Sequence, residues 1–262
     1  MAGQPVPGGM GLQPAGTAVM EHIRSFERYT FWIVTAITVF VLALLVIVMV
    51  KFNAKSNPTP ATFTHHTGLE IAWTLIPVLI LVAIAIPSFR LLYEEVVIPK
   101  ADMTVKVVGH TWYWEYEYPD HQNLRFDANL LEGADLAKKK DGAYLLSTDN
   151  ELVVPVGKTV RVEVTAADVI HSWYVPSFGV QMYAIPGRLN ETWFKAERPG
   201  IYYGQCNMIC GARHAYMPIA IRVVSEEQFG KWVVEAKTNL NNANKLLADM
   251  LDAEAAKKVA SR

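Results

Sequence analysis

The chain of 262 residues is poor in cysteine and carries almost no excess charge of either sign. It has two cysteines, and its 24 Lys and Arg residues nearly balance its 25 Asp and Glu residues. Because a general nucleic-acid binder carries a basic excess, this balance argues against nucleic acid as a partner. The sequence has no internal repeat. No helical pattern alternates with its predicted strands, which argues against a βαβ fold.

Two long runs, residues 29–50 and 71–89, are apolar and contain no charged residue. A helix that crosses a bilayer needs about 20 apolar residues, and both runs are long enough. They predict a transmembrane helical hairpin in contact with membrane lipid, with the residues before and after it on the same side. Two Lys or Arg residues flank the hairpin on each side, so charge alone does not orient it. The first run is longer than the apolar core of a signal peptide.

The rest of the chain divides by composition. Residues 1–28 hold a tail rich in Gly and Pro that predicts disorder. Residues 91–224 hold many short β-branched and aromatic runs separated by turn residues, which predict an all-β sandwich or barrel. Within them, the polar residues 133–142 predict a loop. Residues 225–262 are rich in Ala and charge and predict a C-terminal helical extension that begins at Ser225.

The segment YYGQCNMICGARHAYM gathers both cysteines with a histidine and a methionine: Cys206, Cys210, His214 and Met217. Thiolate, imidazole and thioether form a soft ligand set that selects copper over Mg²⁺ or Ca²⁺, and methionine is a poor ligand for zinc. A mononuclear blue-copper site uses one cysteine, whereas two thiolates on one loop can bridge two copper ions. The second imidazole must then come from elsewhere, and His171 in DVIHSWYVPS is the best candidate. A disulfide or two buried thiols is the simpler alternative.

Several further motifs occur in order along the chain: LEIAWTLIP, GHTWYWEYEY, HSWYVPSFGV and AIPGRLNETWF, followed by the thiol segment. With these motifs the chain closely resembles subunit II of the haem-copper cytochrome c oxidases, from about residue 63 to residue 224. The resemblance implies a two-helix transmembrane hairpin that carries a cupredoxin-like β-sandwich. It also implies a bacterial plasma-membrane protein with its β domain and both termini on the periplasmic side.

The resemblance implies a dinuclear copper centre, CuA, as the cofactor. Its ligands would be the bridging thiolates of Cys206 and Cys210, the imidazoles of His171 and His214, the thioether of Met217 and the backbone carbonyl of Met208. Trp112 matches the tryptophan at which the electron enters in this family. Glu70 matches a glutamate at the mouth of a proton path into subunit I.

The implied function is electron transfer within a proton-pumping cytochrome c oxidase, an oxidoreductase and translocase. The chain would accept electrons from cytochrome c and pass them to haem a in subunit I, where oxygen is reduced, in a complex that includes subunit III. Because cytochrome c has a basic face, its docking surface should be acidic. The candidate docking residues are Glu117, Asp127, Asp149 and Asp168.

One ligand expected from the family is missing. Met208 stands where the family usually has a glutamate that helps to bind Mg²⁺ at the contact with subunit I, and Gln181 and Tyr183 replace a usual Lys and Asp. Hard cations prefer oxygen ligands. The sequence therefore predicts an intact copper site and casts doubt on an interfacial Mg²⁺ site.

Three alternatives are less well supported. A membrane-anchored copper chaperone or thiol oxidoreductase also uses a C-x₃-C motif, but it requires a thioredoxin-like βαβ pattern and leaves Met217 unexplained. A quinol oxidase subunit of the same fold lacks the cysteines. A structural subunit with a disulfide accounts for neither His214 nor Met217.

Overall fold

A computed structural model describes residues 3–140 and 142–260. It divides into two units. One is the helical hairpin His22–Glu94, and the other comprises the residues before 22 together with those from 95 onwards.

The hairpin consists of two helices, α1 (Ala18–Lys51) and α2 (Thr67–Val96), and both extend beyond the predicted spans 29–50 and 71–89. Their apolar side chains point outwards: Phe40 is 62% exposed and Leu79 is 65% exposed. Both helices are long and apolar enough to cross a membrane. Helix α2 continues to Val96, five residues beyond the predicted domain boundary at residue 91.

Ten strands follow: β1 (Met103–His110), β2 (Tyr113–Tyr118), β3 (Leu124–Ala128), β4 (Leu152–Pro155), β5 (Thr159–Ala166), β6 (His171–Val175), β7 (Val180–Ala184), β8 (Asn190–Lys195), β9 (Gly200–Cys206) and β10 (Pro218–Val224). They form two five-stranded sheets, ordered β3-β2-β1-β5-β8 and β4-β10-β9-β6-β7. The predicted all-β sandwich is therefore confirmed. Strand β7 was not predicted, and the predicted loop at 133–142 contains a short helix, α3 (Gly133–Lys138).

The alternation of side chains along β2 shows how the sequence builds the core. Trp114, Tyr116 and Tyr118 are fully buried, whereas Glu115 and Glu117 face outwards. Successive strand residues point to opposite faces of a sheet, so this period of two places three aromatic rings in the sandwich. Each such ring contributes a large buried apolar area.

The prediction of a disordered tail over residues 1–28 does not match the structure of residues 3–28, and residues 1 and 2 lie outside the described part of the chain. The carbonyl of Gly3 accepts a hydrogen bond from the amide of Tyr203, and the amide of Gly16 donates to the carbonyl of Ser177. The Thr17 hydroxyl donates to the carbonyl of Phe178 and accepts from the amide of Met20, so it caps α1. This segment packs on the β domain.

The C-terminal extension forms two helices, α4 (Glu226–Ala236) and α5 (Leu240–Ala260). As predicted, Ser225 begins the first: its side chain and that of Gln228 form a reciprocal capping box. The extension packs on the sandwich through Trp232, whose ring centroid lies 5.7 Å from that of Tyr118.

Candidate metal centre

Two free, buried thiols form the centre of the site. Cys206 is the last residue of β9, and Cys210 lies in the loop that leads to β10. Their Sγ atoms are 3.9 Å apart, about twice the length of a disulfide bond. The thiols are therefore close enough to share ligands without being bonded to each other.

His171 reaches this pair from the neighbouring strand. It is the first residue of β6, which pairs with β9 so that Trp173 lies opposite Cys206. The amide of Asn207 donates to the carbonyl of Ser172 at 3.0 Å and fixes the start of the thiol loop on this strand. The ring of His171 is fully buried, and its Nδ1 lies 3.9 Å from the Sγ of Cys206.

The remaining predicted donors surround the two sulfurs. The Sγ of Cys210 is 3.5 Å from the Nδ1 of His214 and 3.5 Å from the Sδ of Met217. The carbonyl oxygen of Met208 is 3.3 Å from the Sγ of Cys206. The structure thus brings the six predicted donor groups together, each within 3.9 Å of a cysteine sulfur.

The two thiols differ in acidity. Burial raises the pKa of Cys206, but hydrogen bonds with His171 and the backbone outweigh it, so this pKa lies below its usual value. Burial and the nearby charge of Cys206 raise the pKa of Cys210 to about 12. Burial lowers the pKa of His171, yet Cys206 and Asp168 raise it above its usual value. A second thiolate is therefore disfavoured, and a cation that compensates its charge, as a bound metal does, would favour it.

The donor set fits copper. Two thiol sulfurs, two imidazole nitrogens and a thioether are soft or borderline ligands, and the weak carbonyl donor completes the set. The face beside Met208 does not fit a hard cation. Met208 and Ile209 are exposed apolar side chains there, and the thiol loop 206–210 contributes no carboxylate.

Trp112 lies directly against the thiol loop. Its indole Nε1 donates a hydrogen bond to the carbonyl of Cys210 at 3.2 Å. A Cβ added to Gly211 would lie 3.1 Å from the ring, so the loop and the indole are in close contact. The ring is half-buried and keeps one part accessible to solvent.

The four candidate docking acids have different surroundings. Asp127 is exposed on β3, and Glu117 pairs with Lys106 at 3.2 Å. Asp149 accepts hydrogen bonds from the amides of Asn129 and Asn150. The fourth, Asp168, is occupied by internal hydrogen bonds, one of them from the ring of the site histidine at 2.9 Å.

Sequence reasoning missed residues that support the ligands. The indole of Trp114 donates to the carbonyl of Met217 at 3.2 Å, and Gly109 lies against the ring of His171. Thr111 donates to Asp168 from its amide and its hydroxyl. The spacing of Asp168 three residues before His171 was the only visible signal for these contacts.

Glu70 lies far along the chain from this site, in the first turn of α2. Its carboxylate accepts a hydrogen bond from the amide of His66 at 3.3 Å. A carboxylate in the first turn satisfies amides that have no partner within the helix, so Glu70 has a local structural role whatever else it does.

The apolar hairpin, the β-sandwich and the thiol-imidazole site together define a membrane-anchored cupredoxin-like domain protein with a site suited to copper. Family models agree: the transmembrane domain of cytochrome c oxidase subunit II matches residues 5–91, and the periplasmic domain of the same subunit matches residues 103–224. The chain belongs to the cytochrome c oxidase subunit II family.

Named relatives support this assignment. The probable cytochrome c oxidase subunit 2 of Rickettsia bellii is 49% identical over 248 residues, which cover 94% of this chain and 91% of the relative. Cytochrome c oxidase subunit 2 of Cereibacter sphaeroides is 46% identical, with 90% and 82% covered. The crystal structure of the periplasmic domain of subunit II from Bradyrhizobium japonicum is 52% identical, covers 55% of this chain and 99% of that one, and has a TM-score of 0.51.

Proposed function

We propose that this chain is the electron-accepting subunit of a proton-pumping cytochrome c oxidase. It accepts electrons from cytochrome c and delivers them to haem a in subunit I, where oxygen is reduced, in a complex that also contains subunit III. The observation that carries the proposal is the convergence of six soft or weak donors around two free thiols.

The residues have distinct roles in holding the metal. The thiolates of Cys206 and Cys210 and the imidazoles of His171 and His214 would hold a dinuclear copper centre, with Met217 and the Met208 carbonyl as weak donors. When bound, a dinuclear centre of this kind supplies a one-electron carrier whose bonding changes little between its oxidation states. His171 and Cys206 lie at the ends of the paired strands β6 and β9, which would hold these two ligands rigidly and keep the reorganisation small.

Trp112 is the proposed point where the electron enters. The hydrogen bond from its indole to the carbonyl of Cys210 links the ring to a ligand residue over a short path. Exposed Asp127 and the outward Glu117 lie on the adjacent strands and would contribute to an acidic surface for cytochrome c. Of the predicted docking acids, Asp127 is the best supported, because Glu117 pairs with Lys106 and the carboxylates of Asp149 and Asp168 have internal hydrogen-bond partners.

The hairpin sets the orientation in this proposal. The β domain and both termini would lie on the periplasmic side of a bacterial plasma membrane, because cytochrome c is found there. Glu70 would then lie on the opposite side, at the start of a proton path. In Glu70→Gln, turnover should fall while copper content stays normal. Unchanged turnover would mean that Glu70 has only its structural role at the start of α2.

An interfacial Mg²⁺ is not part of the proposal. Met208 has no oxygen in its side chain, so this face lacks the carboxylate that a hard cation needs. Complex purified from cells grown with excess Mn²⁺ should give no interfacial Mn²⁺ signal in electron paramagnetic resonance (EPR). Such a signal would show that other ligands replace the carboxylate.

Metal analysis of the purified oxidase complex tests the main proposal. We expect two copper ions per chain in addition to the copper of subunit I, and the seven-line EPR hyperfine pattern of an electron shared by two equivalent copper nuclei. A copper chaperone or thiol oxidoreductase would instead cycle Cys206 and Cys210 through a disulfide. A complex that lacks this EPR pattern and has these two thiols oxidised to each other would contradict the electron-transfer function.

A further inference from the structure

We propose that Asp168 is a positioning residue that fixes the ring of His171 and ties the backbone before Trp112 to it. This inference rests on the proposed function, because His171 is taken as a copper ligand. It changes the role of Asp168 from a surface acid that docks cytochrome c to a group that acts through its neighbours.

The carboxylate of Asp168 makes four hydrogen-bonding contacts within the domain. Its Oδ1 accepts from the amide of Val169 at 2.6 Å and faces the Nε2 of His171 at 2.9 Å. Its Oδ2 accepts from the amide and the hydroxyl of Thr111, both at 2.7 Å. A carboxylate has about four acceptor sites, so these four contacts occupy all of them, while about a third of the side chain (33%) remains exposed.

This contact selects the histidine tautomer. Because Nε2 faces an ionised carboxylate, it carries the proton, and Nδ1 presents its lone pair towards Cys206 at 3.9 Å. Ligating histidines commonly donate their other ring N–H to such an acceptor, which fixes the ring and raises its basicity. Among the described residues, no carboxylate takes this role for His214.

Packing prevents the ring from turning away. A Cβ on Gly109 would lie 2.8 Å from the Cδ2 of His171, so only glycine leaves room for the imidazole here. The ring of Trp114 meets the imidazole edge-on, with 5.9 Å between centroids. Gly109, Trp114 and the Asp168 carboxylate therefore hold the imidazole ring together, and Asp168 also sets its tautomer.

The same carboxylate is also linked, through Thr111, to Trp112, the proposed point of electron entry. Thr111 directly precedes Trp112, and its two hydrogen bonds hold the turn between β1 and β2. At its other end the indole of Trp112 donates to Cys210. Asp168 thus connects the tryptophan backbone to one ligand, while the indole contacts another.

The test compares Asp168→Asn with Asp127→Asn in the purified oxidase complex. Both changes remove one exposed negative charge, but only the first replaces two acceptor sites with N–H donors that face other donors. Asp168→Asn should lose copper to a chelator about 10-fold more readily or worse and should alter the copper absorption and EPR spectra. Asp127→Asn should raise KM for cytochrome c and leave both spectra unchanged.

Two results would overturn the inference. One is an Asp168→Asn complex whose copper retention and spectra match wild type while KM rises, as expected for a docking acid. If that variant does not assemble, Thr111→Val removes one of the four contacts and should shift the spectra in the same direction by less; unchanged spectra would also refute the inference. Wild-type complex without copper would instead contradict the proposed function.

Discussion

The helical hairpin and the β domain use apolar side chains in opposite ways. In the hairpin, residues such as Phe40 and Leu79 point outwards and are mostly exposed. In the β domain, Trp114 and Trp173 are fully buried and each makes a specific contact. The hairpin needs a sufficient amount of apolar surface to match lipid, whereas the β domain needs particular atoms at particular places.

Polar groups differ in the same way. The acids and bases of the hairpin lie near its ends, where His22 pairs with Glu94 at 2.8 Å. The β domain buries polar side chains at the candidate metal site, including His171 and Ser172. Single substitutions should therefore have large effects in the β domain and small effects on the outward faces of the hairpin.

The largest expected effect is at the thiols. Cys206→Ser or Cys210→Ser replaces a soft sulfur with a hydroxyl of nearly the same size. Copper should be lost and oxygen uptake should fall by more than about 100-fold, because changing even a residue behind a ligand can cost that much. Copper content and oxygen consumption of the purified complex measure this. Normal values for either variant would contradict the dinuclear site.

A buried ion pair gives the next largest effect. Arg222 donates two hydrogen bonds to Glu151, at 2.6 and 2.9 Å, and Lys139 approaches the same carboxylate at 2.6 Å. In Arg222→Met, Glu151 stays buried with one partner fewer, which should cost about 3 kcal/mol of unfolding free energy. Denaturant unfolding of the full chain in detergent, followed by tryptophan fluorescence, measures the loss.

The control and the pH dependence sharpen this prediction. Arg161→Met breaks a more exposed pair with Glu191 and should lower the unfolding free energy much less than Arg222→Met does. Burial raises the pKa of Glu151, but Arg222 and Lys139 bring it below its usual value. The pair therefore stabilises the fold above the unfolded pKa and loses this contribution as the pH falls through the folded pKa. In Arg222→Met the loss of stability on acidification should occur at a higher pH than in wild type. Equal losses of unfolding free energy in Arg222→Met and Arg161→Met would contradict the expected difference between the buried and the exposed pair.

The sequence predicted the parts of the fold that are encoded locally. The alternation in residues 113–118 identifies β2, and Ser225 identifies the start of α4, because period and capping depend on near neighbours. Strand β7 was missed because its residues, Val180–Ala184, include one β-branched residue and alternate between apolar and polar only as far as Met182.

Contacts between distant residues could not be predicted. The segment around Gly3 resembles a disordered tail in composition, yet it binds Tyr203, two hundred positions later. Asp168 resembled a surface acid because its partner Thr111 lies on a different strand hairpin. The ligand set was accessible through the resemblance, but the groups that orient those ligands depend on the packed sandwich.

A smaller effect is expected at Trp112. Trp112→Phe keeps an aromatic ring but removes the indole hydrogen bond to the carbonyl of Cys210. Electron transfer from cytochrome c should slow about tenfold, equivalent to about 1.4 kcal/mol in the barrier, while copper content stays normal. Stopped-flow reduction at fixed ionic strength measures the rate. Trp193→Phe, on β8, serves as the matched control, and equal rates for both variants would remove Trp112 from the path.

The smallest effect is expected in the hairpin, where Leu45→Ile exchanges two apolar side chains of equal volume on an outward face. Lipid offers no fixed partner whose shape the new side chain must match, so assembly and turnover should stay at wild-type values. Val162→Leu, at a fully buried position of β5, adds one methylene to a packed core and should cost about 1–3 kcal/mol. Complex yield and thermal unfolding compare the two. A loss in Leu45→Ile as large as that in Val162→Leu would mean that this face of the hairpin packs against protein rather than lipid.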